Sequence, residues 1–333
     1  MRTRDDDWTK YLAIRAAWLS FVGGRTQGEI ADQLGVSPAK VHRLIAHAQK
    51  TGMVKFRIEG RPLECLELED TLTRNFELGS CIVAPDLGAA DQETSIRAIA
   101  GVAAEVLTNF LTSETIGRVG VGMGRTLKAA VEELPKISRP ELEIISISGS
   151  LTRSLAANPY DVVQKVQERT GGVGYYLPVP YFAESPAEKS VFLGQSSVQG
   201  LLDRARGSDL FVVGIGSIEN EGHLIERGII SKDEQADLIK IGAVSDLMGR
   251  FLDKNGVQAP VQLGDCAVGL HYEDVRGARI LALAGGTSKA SATLAALRTG
   301  VITDLIVDEN LARAVASEAG LQTQCSAARQ RTA

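Results

Sequence analysis

The 333-residue chain is predicted to be an α/β protein with a helix-turn-helix head, and three observations carry that reading. Two helix starts separated by a single glycine turn stand between residues 26 and 52. Beyond residue 80, apolar strand patterns alternate with amphipathic helical ones, the signature of parallel βαβ units. Four of those strand patterns run directly into glycine-rich turns that open the next helix.

In the head, residues 11–22 form a first helix with Leu12, Ala16, Leu19 and Trp18 as its expected apolar face. Thr26 with Glu29 three residues on makes a capping box, in which hydroxyl and carboxylate each satisfy an orphan backbone N–H. Ile30, Ala31 and Leu34 share one face of the helix that follows, and Gly35 stands where a left-handed residue would end it. Ser37 then offers a second cap with Pro38 at the first helical position, and Val41, Leu44, Ile45 and Ala48 continue at helical spacing. The outer face of this second helix carries Ser37, Ala39, Lys40, His42, Arg43 and His47. It is small at its start and cationic further along, as an element entering a major groove needs to be. Thr26 and Gln27, at the start of the preceding helix, join them as expected DNA contacts. Residues 53–58 read MVKFRI, a period-two strand that suggests a wing, with Lys55 and Arg57 near backbone phosphates. A helical hairpin with a solvated charged face and a plain linker strand are the blander readings of these residues.

Charge separates head from body. Residues 1–60 hold ten Lys/Arg against six Asp/Glu, while the remainder holds 26 against 35. Phosphate contact requires positive charge, so DNA binding is expected in the first sixty residues and the acidic body would be repelled. The four cysteines, Cys65, Cys81, Cys266 and Cys325, have no C-x-x-C spacing, so neither a zinc site nor a disulfide framework is expected. No apolar run is long enough to span a bilayer, and the start of the chain lacks a signal peptide's apolar region. A cytoplasmic protein without a membrane partner is expected, and no cofactor is implied.

The expected organisation is a DNA-binding domain at 1–60, a linker helix at 61–79 with Leu66, Leu68, Leu72 and Phe76 as apolar positions, a body at 80–320 and a disordered tail at 321–333. Within the body, strands are expected at 81–84, 118–122, 143–148, 175–177, 210–216, 267–270, 279–285 and 304–308. Helices are expected at 94–111, 126–134, 159–170, 198–206, 231–241 and 289–298.

Ligands of open α/β sheets sit beyond the carboxyl ends of the strands, where glycines let backbone approach a ligand and helix N-termini attract anions. The turns concerned are GVGMGRT at 120–126, SGS at 148–150, GIGS at 214–217 and GGTSK at 285–289. Arg125 and Lys289 add positive charge, and Thr126, Ser150, Ser217 and Ser288 add hydroxyls. Together they describe a pocket for a polyhydroxylated small molecule, with or without phosphate. A dinucleotide site would need an acid at the end of the strand after GVGMG, and that strand ends Ser146-Ile147-Ser148-Gly149. A phosphate-binding P-loop would need a glycine-lysine-serine/threonine triplet after the turn, and none follows.

The chain resembles the SorC family of sugar-sensing bacterial transcriptional regulators, related to the DeoR-type repressors. The resemblance is carried by TQGEIADQLGVSPAKVHRLIAHAQKTGMV, VGVGMGRTL, NPYDVVQKVQERTGGVGYYLPVPYFAES, FVVGIGS, GAVSDLMGRFLD and ALAGGTSKASATLAALRTGVITDLIVDE, in the family's order over nearly the whole length. It implies a winged-helix head, a sensor domain similar to the ribose-5-phosphate isomerase and glucosamine-6-phosphate deaminase fold, and dimers or tetramers whose operator binding responds to a sugar, polyol or sugar phosphate. It further implies an effector pocket lined by Gly122, Gly124, Arg125, Thr126, Gly149, Ser150, Asp246, Gly285, Gly286 and Lys289, with Tyr181 and Gln195 as additional positions. A phosphate would lie near Arg125, Thr126 and Lys289, and Asp246 would accept from hydroxyls. The alternative function is a sugar-phosphate isomerase or deaminase-like enzyme. Fold alone does not supply catalysis, and no paired acid and base can be assigned.

Overall fold

The computed structural model describes residues 4–54, 60–88, 91–151, 161–219 and 223–322. The chain forms two compact units, Met1–Gly60 and Arg61–Ala333. No described helix is long and apolar enough to cross a membrane.

In the first unit a helix spans Arg4–Ala17 and runs into a π-helical turn, Trp18–Val22, closed by Gly23 N–H donating to the Trp18 carbonyl at 2.9 Å. Helices Gln27–Leu34 and Pro38–Lys50 follow. The expected caps form: Thr26 N–H donates to Glu29 Oε2 at 2.9 Å, Ser37 Oγ accepts from Lys40 N–H at 3.3 Å, and Gly35 turns the chain at φ 63°. Leu12, Ala13, Ala16, Ile30, Ala31, Val41, Leu44 and Ala48 close into one core. Trp18 was expected on that inner face and instead stands 62% exposed, because the buried arc of the first helix is completed by Ala13 and Ala17. Of the wing strand expected at 53–58, Met53 and Val54 pack against this core, and residues 55–58, with Lys55 and Arg57, lie outside the described residues.

Among its described residues the second unit has ten strands: β1 Ser80–Ala84, β2 Arg118–Val121, β3 Glu143–Ser146, β4 Val173–Tyr175, β5 Leu210–Gly214, β6 Gly216–Ser217, β7 Ala243–Leu247, β8 Arg250–Asp253, β9 Ile280–Ala284 and β10 Asp304–Asp308. Seven form one sheet in the order β1-β10-β9-β5-β2-β3-β4, parallel throughout, and β6-β7-β8 form a small antiparallel sheet. Successive residues of the large sheet feed opposite cores, as the two-residue period of a strand requires. Phe211 and Val213 pack on one face with Leu294, Leu297 and Leu311. Leu210 and Val212 pack on the other with Ile99, Leu107 and Leu127. A third cluster, with Phe182, Leu224, Leu238 and Phe251, supports the small sheet.

Segment 61–79, expected as a linker, contributes a helix, Leu63–Asn75, that packs into the body. Its buried residues are Cys65, Leu68 and Leu72, and Leu66 is 42% exposed. Residues 267–270, expected as a strand, form only isolated bridges, Phe182 to Ala267 and Ser148 to Gly269. The β7–β8 pair and the helices Pro186–Leu193 and Glu309–Glu318 lie beyond the sequence expectations. The expected tail falls, from 323 on, outside the described residues.

Candidate functional site

The chain leaves β2 toward β3 and β4 on one side and returns at β5 on the other, so the carboxyl ends of β2 and β5 flank a topological switch point. Open parallel sheets have a crevice at such points. A cavity of about 60 Å³ lies there, lined by residues that include Gly122, Gly124, Arg125, Thr126, Ser148, Tyr181, Ser217, Asp246 and Lys289.

Each wall has a local cause. After β2, Gly124 at φ 142° precedes the helix Arg125–Glu133, so Arg125 and Thr126 occupy its first turn. Thr126 is buried, and among the described residues its hydroxyl has no hydrogen-bond partner. Gly122 N–H donates to the Val212 carbonyl at 2.9 Å, tying the turn to β5. Asp246 sits on β7, one residue short of the strand's end at a two-residue hairpin turn, Met248-Gly249, in which both residues have positive φ (53° and 77°). That is the backbone of a type I′ turn, which glycine adopts freely and methionine only under strain. Asp246 offsets the strain locally, since its Oδ1 accepts from Gly249 N–H at 2.9 Å. Its other oxygen lies against Gly216, where a Cβ would come within 3.2 Å of Oδ2. Lys289 closes a 3₁₀ turn, Thr287–Lys289, ahead of the helix Ala290–Arg298, and its Nζ donates to the Ile215 carbonyl at 2.6 Å.

Burial governs the electrostatics. Removal from water raises the Asp246 carboxyl to about 7, against the pull of the Gly249 N–H, Arg250 and Lys289. Removal from water likewise lowers Lys289 to about 8, reinforced by Arg125 and opposed by Asp246. Burial also pushes the Tyr181 hydroxyl well above its ordinary range, keeping it a neutral donor. Arg125 at the cleft's edge pairs with Glu226 of the short helix His223–Glu226, Nη1 to Oε1 at 3.5 Å.

Of the expected effector positions, Gly122, Gly124, Arg125, Thr126, Tyr181, Asp246 and Lys289 line the cleft, and Gly149, Ser150, Gln195, Gly285 and Gly286 do not. The latter group serves packing and chain direction. A Cβ at Gly149 would run into the Pro180 carbonyl, and one at Gly285 would meet Ile99 at 2.6 Å. Ser150 Oγ donates to the Leu177 carbonyl at 2.9 Å, and Gly286 N–H donates to Asp308 Oδ2 at 2.7 Å. Gln195 is exposed at the start of the helix Ser196–Arg206. Gln92, Ser148 and Met248 line the cleft without having been named as effector positions, and of these only Ser148, the first residue of the SGS turn, lies in a glycine turn that the sequence had singled out.

In the head, Thr26, Gln27, Ser37, Ala39, Lys40, His42, Arg43 and His47 are all exposed, five of them on the second helix of the helix-turn-helix and Ser37 at its N-cap. The Thr26 and Ser37 hydroxyls are already engaged in capping. Among the described residues, no group of His, Cys, Asp and Glu could hold a metal ion.

The profile of the sugar-binding domain family, Sugar-bind, matches residues 60–317. The chain belongs to this family. The Sugar-bind match covers the whole described cleft, and relatives extend the similarity into the head. The chain is 37% identical over 304 residues to the erythritol catabolism regulatory protein EryD of Brucella abortus (strain 2308), covering 91% of this chain and 96% of that protein. It is 29% identical to the transcriptional regulator LsrR of Enterobacter sp. (strain 638), covering 93% and 94%. Its fold is shared with the full-length sorbitol operon regulator SorC from Klebsiella pneumoniae, at 22% identity and a TM-score of 0.68 over 92% of this chain and 98% of that one. A DeoR family transcriptional regulator from Listeria monocytogenes gives the same TM-score over 75% of this chain and 99% of its own. These relatives are transcriptional regulators, which favours a regulator over an isomerase or deaminase.

Proposed function

We propose that the chain is a sequence-specific transcriptional regulator of a carbohydrate or polyol catabolic operon, acting in the cytoplasm as a homo-oligomer. Its hold on operator DNA is set by a small, uncharged, polyhydroxylated effector in the cleft. The observation that carries the effector class is the division between engaged and open groups. Arg125 faces Glu226, and Lys289 is turned to the Ile215 carbonyl beside Asp246. By contrast the Thr126, Ser148 and Tyr181 hydroxyls and the Gln92 amide make no hydrogen bond to any described residue. Open neutral donors and acceptors around one buried carboxylate match sugar hydroxyls, and the cations have counter-groups already. The exposed cationic helix of the head supports operator reading, and two half-sites require a symmetric assembly.

Calorimetry of a linear polyol and its monophosphate, with operator affinity followed by fluorescence anisotropy, tests the reading. The free polyol is expected to bind more tightly and to change operator affinity, because an effector shifts an equilibrium only through differential affinity for its two states. Preferential binding of the monophosphate would overturn the uncharged class. Absence of any polyhydroxylated ligand that alters operator affinity would overturn the effector role of the cleft.

A further inference from the structure

On the side of the β7–β8 hairpin turned away from the cleft, a buried cation stands without a counter-charge. Asp246 lies opposite Phe251, whereas Arg250 lies opposite Leu247 on the other side of the pleat and does not line the cleft. Arg250 is only 5% exposed. Its one hydrogen bond among the described residues is a long contact, from Nη1 to the Gly249 carbonyl at 3.4 Å, and it forms no ion pair with any of them. Buried charges are ordinarily paired, because removal from water is costly. The Nε and Nη2 of Arg250 lack a partner, yet solvent still reaches them. Among the described residues, the side-chain atoms that are both sealed and unpaired are the hydroxyls of Ser208, Ser245 and Thr293. A narrow opening therefore ends on the free edge of the guanidinium.

Two other segments bring basic groups to the same place. Lys189, on the helix Pro186–Leu193, donates from Nζ to the Asp265 carbonyl at 2.8 Å and likewise forms no ion pair among the described residues. Ala267, two residues beyond Asp265, packs at the hairpin turn, where a Cβ on Gly249 would meet it at 2.9 Å. Gln258 stands opposite Leu252, on the Arg250 side of the pleat, and its Oε1 accepts from His271 Nε2 at 2.9 Å. His271 Nδ1 accepts from the Glu273 N–H at 3.0 Å, which assigns the ring to its neutral Nε2–H tautomer. Burial, and after it the charge of Arg250, lowers both Lys189 and His271, so one positive field covers all three groups. Burial lowers Arg250 too, against the pull of Tyr181, Asp246, Asp274 and Asp265, none of which pairs with it. Asp274 Oδ2 is already occupied by the His271 backbone N–H at 3.0 Å.

The geometry points to a binding site for a small inorganic oxyanion of the sulfate or phosphate kind, held by the free Nε and Nη2 edge of Arg250 and by the Nζ of Lys189. A planar guanidinium edge offers two parallel donors to two oxygens of one oxyanion, and an ammonium serves a third. The deep burial of Arg250 selects a bare ion over a phosphorylated metabolite. The site depends neither on the regulator reading nor on the effector class of the cleft.

Thermal melts of the full-length chain in a zwitterionic buffer, with sodium sulfate exchanged for sodium chloride at constant ionic strength, test the site. The native chain is expected to melt higher as sulfate replaces chloride, because an ion that binds only the folded state stabilises it. Arg250→Met and Lys189→Met should each lose that shift. Lys289→Met in the cleft and Arg43→Ala on the head should keep it. Sulfate should also raise the pKa of the His271 imidazole, followed by NMR, since a bound anion offsets the field of Arg250; general stabilisation by salt would leave that titration unmoved. If Arg250→Met does not fold, Lys189→Met and the His271 titration decide. Absence of a sulfate shift in the native chain would overturn the proposal, as would a shift that survives in either variant. Loss of the shift in Lys289→Met or Arg43→Ala would overturn it too, by placing the ion in the cleft or on the head.

Discussion

Lys289 donates from Nζ to the main-chain carbonyl of Ile215 at 2.6 Å, across from the buried carboxylate of Asp246. The lysine is thus a half-buried strut between the 3₁₀ turn after β9 and the end of β5, and Asp246 lines the cleft with its Oδ1 held by the Gly249 N–H. Lys289→Met is expected to weaken binding of an uncharged polyol by under about 1 kcal/mol, the value of one ordinary hydrogen bond. Asp246→Ala should cost about 1.5–3 kcal/mol, as for hydrogen bonds to a charged group. Calorimetry on both variants checks the order; a larger loss at Lys289 would mean that the cleft reads an anion.

The pH dependence follows from burial of Asp246. Its pKa is raised from 3.8 to about 7, so between those values the folded protein holds a proton that the unfolded chain has released. Stability from this group is full below about pH 4 and is lost as pH rises through 7. Lys289, lowered from 10.5 to about 8, contributes fully above its unfolded value and loses that contribution as pH falls through 8. Denaturant titrations from pH 4 to 8 should show the first slope in the native protein and its loss in Asp246→Asn. Polyol affinity should rise through pH 7, as the carboxylate ionises, and stay flat in the variant.

Glu226 is expected to act as the counter-charge that makes the Arg125 end of the cleft unattractive to phosphate. The pair is partly exposed, so its worth is about 0.2–1 kcal/mol. Glu226→Gln should improve the affinity of a polyol phosphate relative to the free polyol by a corresponding factor of about 1.5–5, with little change in the free polyol's own affinity. An unchanged ratio in calorimetry would remove Glu226 from specificity.

Glycine substitutions should separate packing from binding. Gly149→Ala forces a Cβ into the Pro180 carbonyl and is expected to cost at least about 1–3 kcal/mol of stability. Gly122→Ala places its Cβ 3.6 Å from the Val212 carbonyl, an ordinary contact, and should leave the melting temperature nearly unchanged while narrowing the cleft. Thermal melts with and without effector would distinguish the two.

Operator reading should depend on Arg43, exposed on Pro38–Lys50 with its Nε resting 3.4 Å from the Ala39 carbonyl. Arg43→Ala should cost about 1–3 kcal/mol on the operator and far less on unrelated DNA if the guanidinium reads a base edge. Equal loss on both sequences, measured by anisotropy at one salt concentration, would reduce it to a phosphate contact.

Much of the fold was legible because its signals are local. Caps at Thr26 and Ser37, the left-handed Gly35 and the apolar strands before glycine turns all depend on residues within a few positions of one another. The β7–β8 hairpin was not legible. Ser245, Asp246 and Arg250 are polar residues buried in its strands, which erases the alternation of a half-exposed pair, and its turn places Met248 where asparagine or aspartate usually signals a hairpin. The glycine turns were visible, but their division of labour was not. Gly149 and Gly285 are required by Pro180 and Ile99, neighbours that only the tertiary fold supplies. Gln92 opens a helix whose sequence pattern signals packing alone, and nothing local marks it as a cleft residue.

The pairing of β1 with β10 bears on how the chain is made. Ser80 Oγ donates to Asp304 Oδ1 at 2.6 Å, and the two strands run in register from Ser80 opposite Asp304 to Ala84 opposite Asp308. The body's first strand therefore has no neighbour in the sheet until more than two hundred further residues have been synthesised. The head's core, from Leu12 to Ala48, closes within the first fifty. Contacts between residues close in sequence form early and distant ones late, so the DNA-reading unit is expected to become ordered on the ribosome well before any effector could be sensed. Protease resistance of ribosome-stalled chains, appearing in the head first and in the body only after residue 308 has emerged, would record that order.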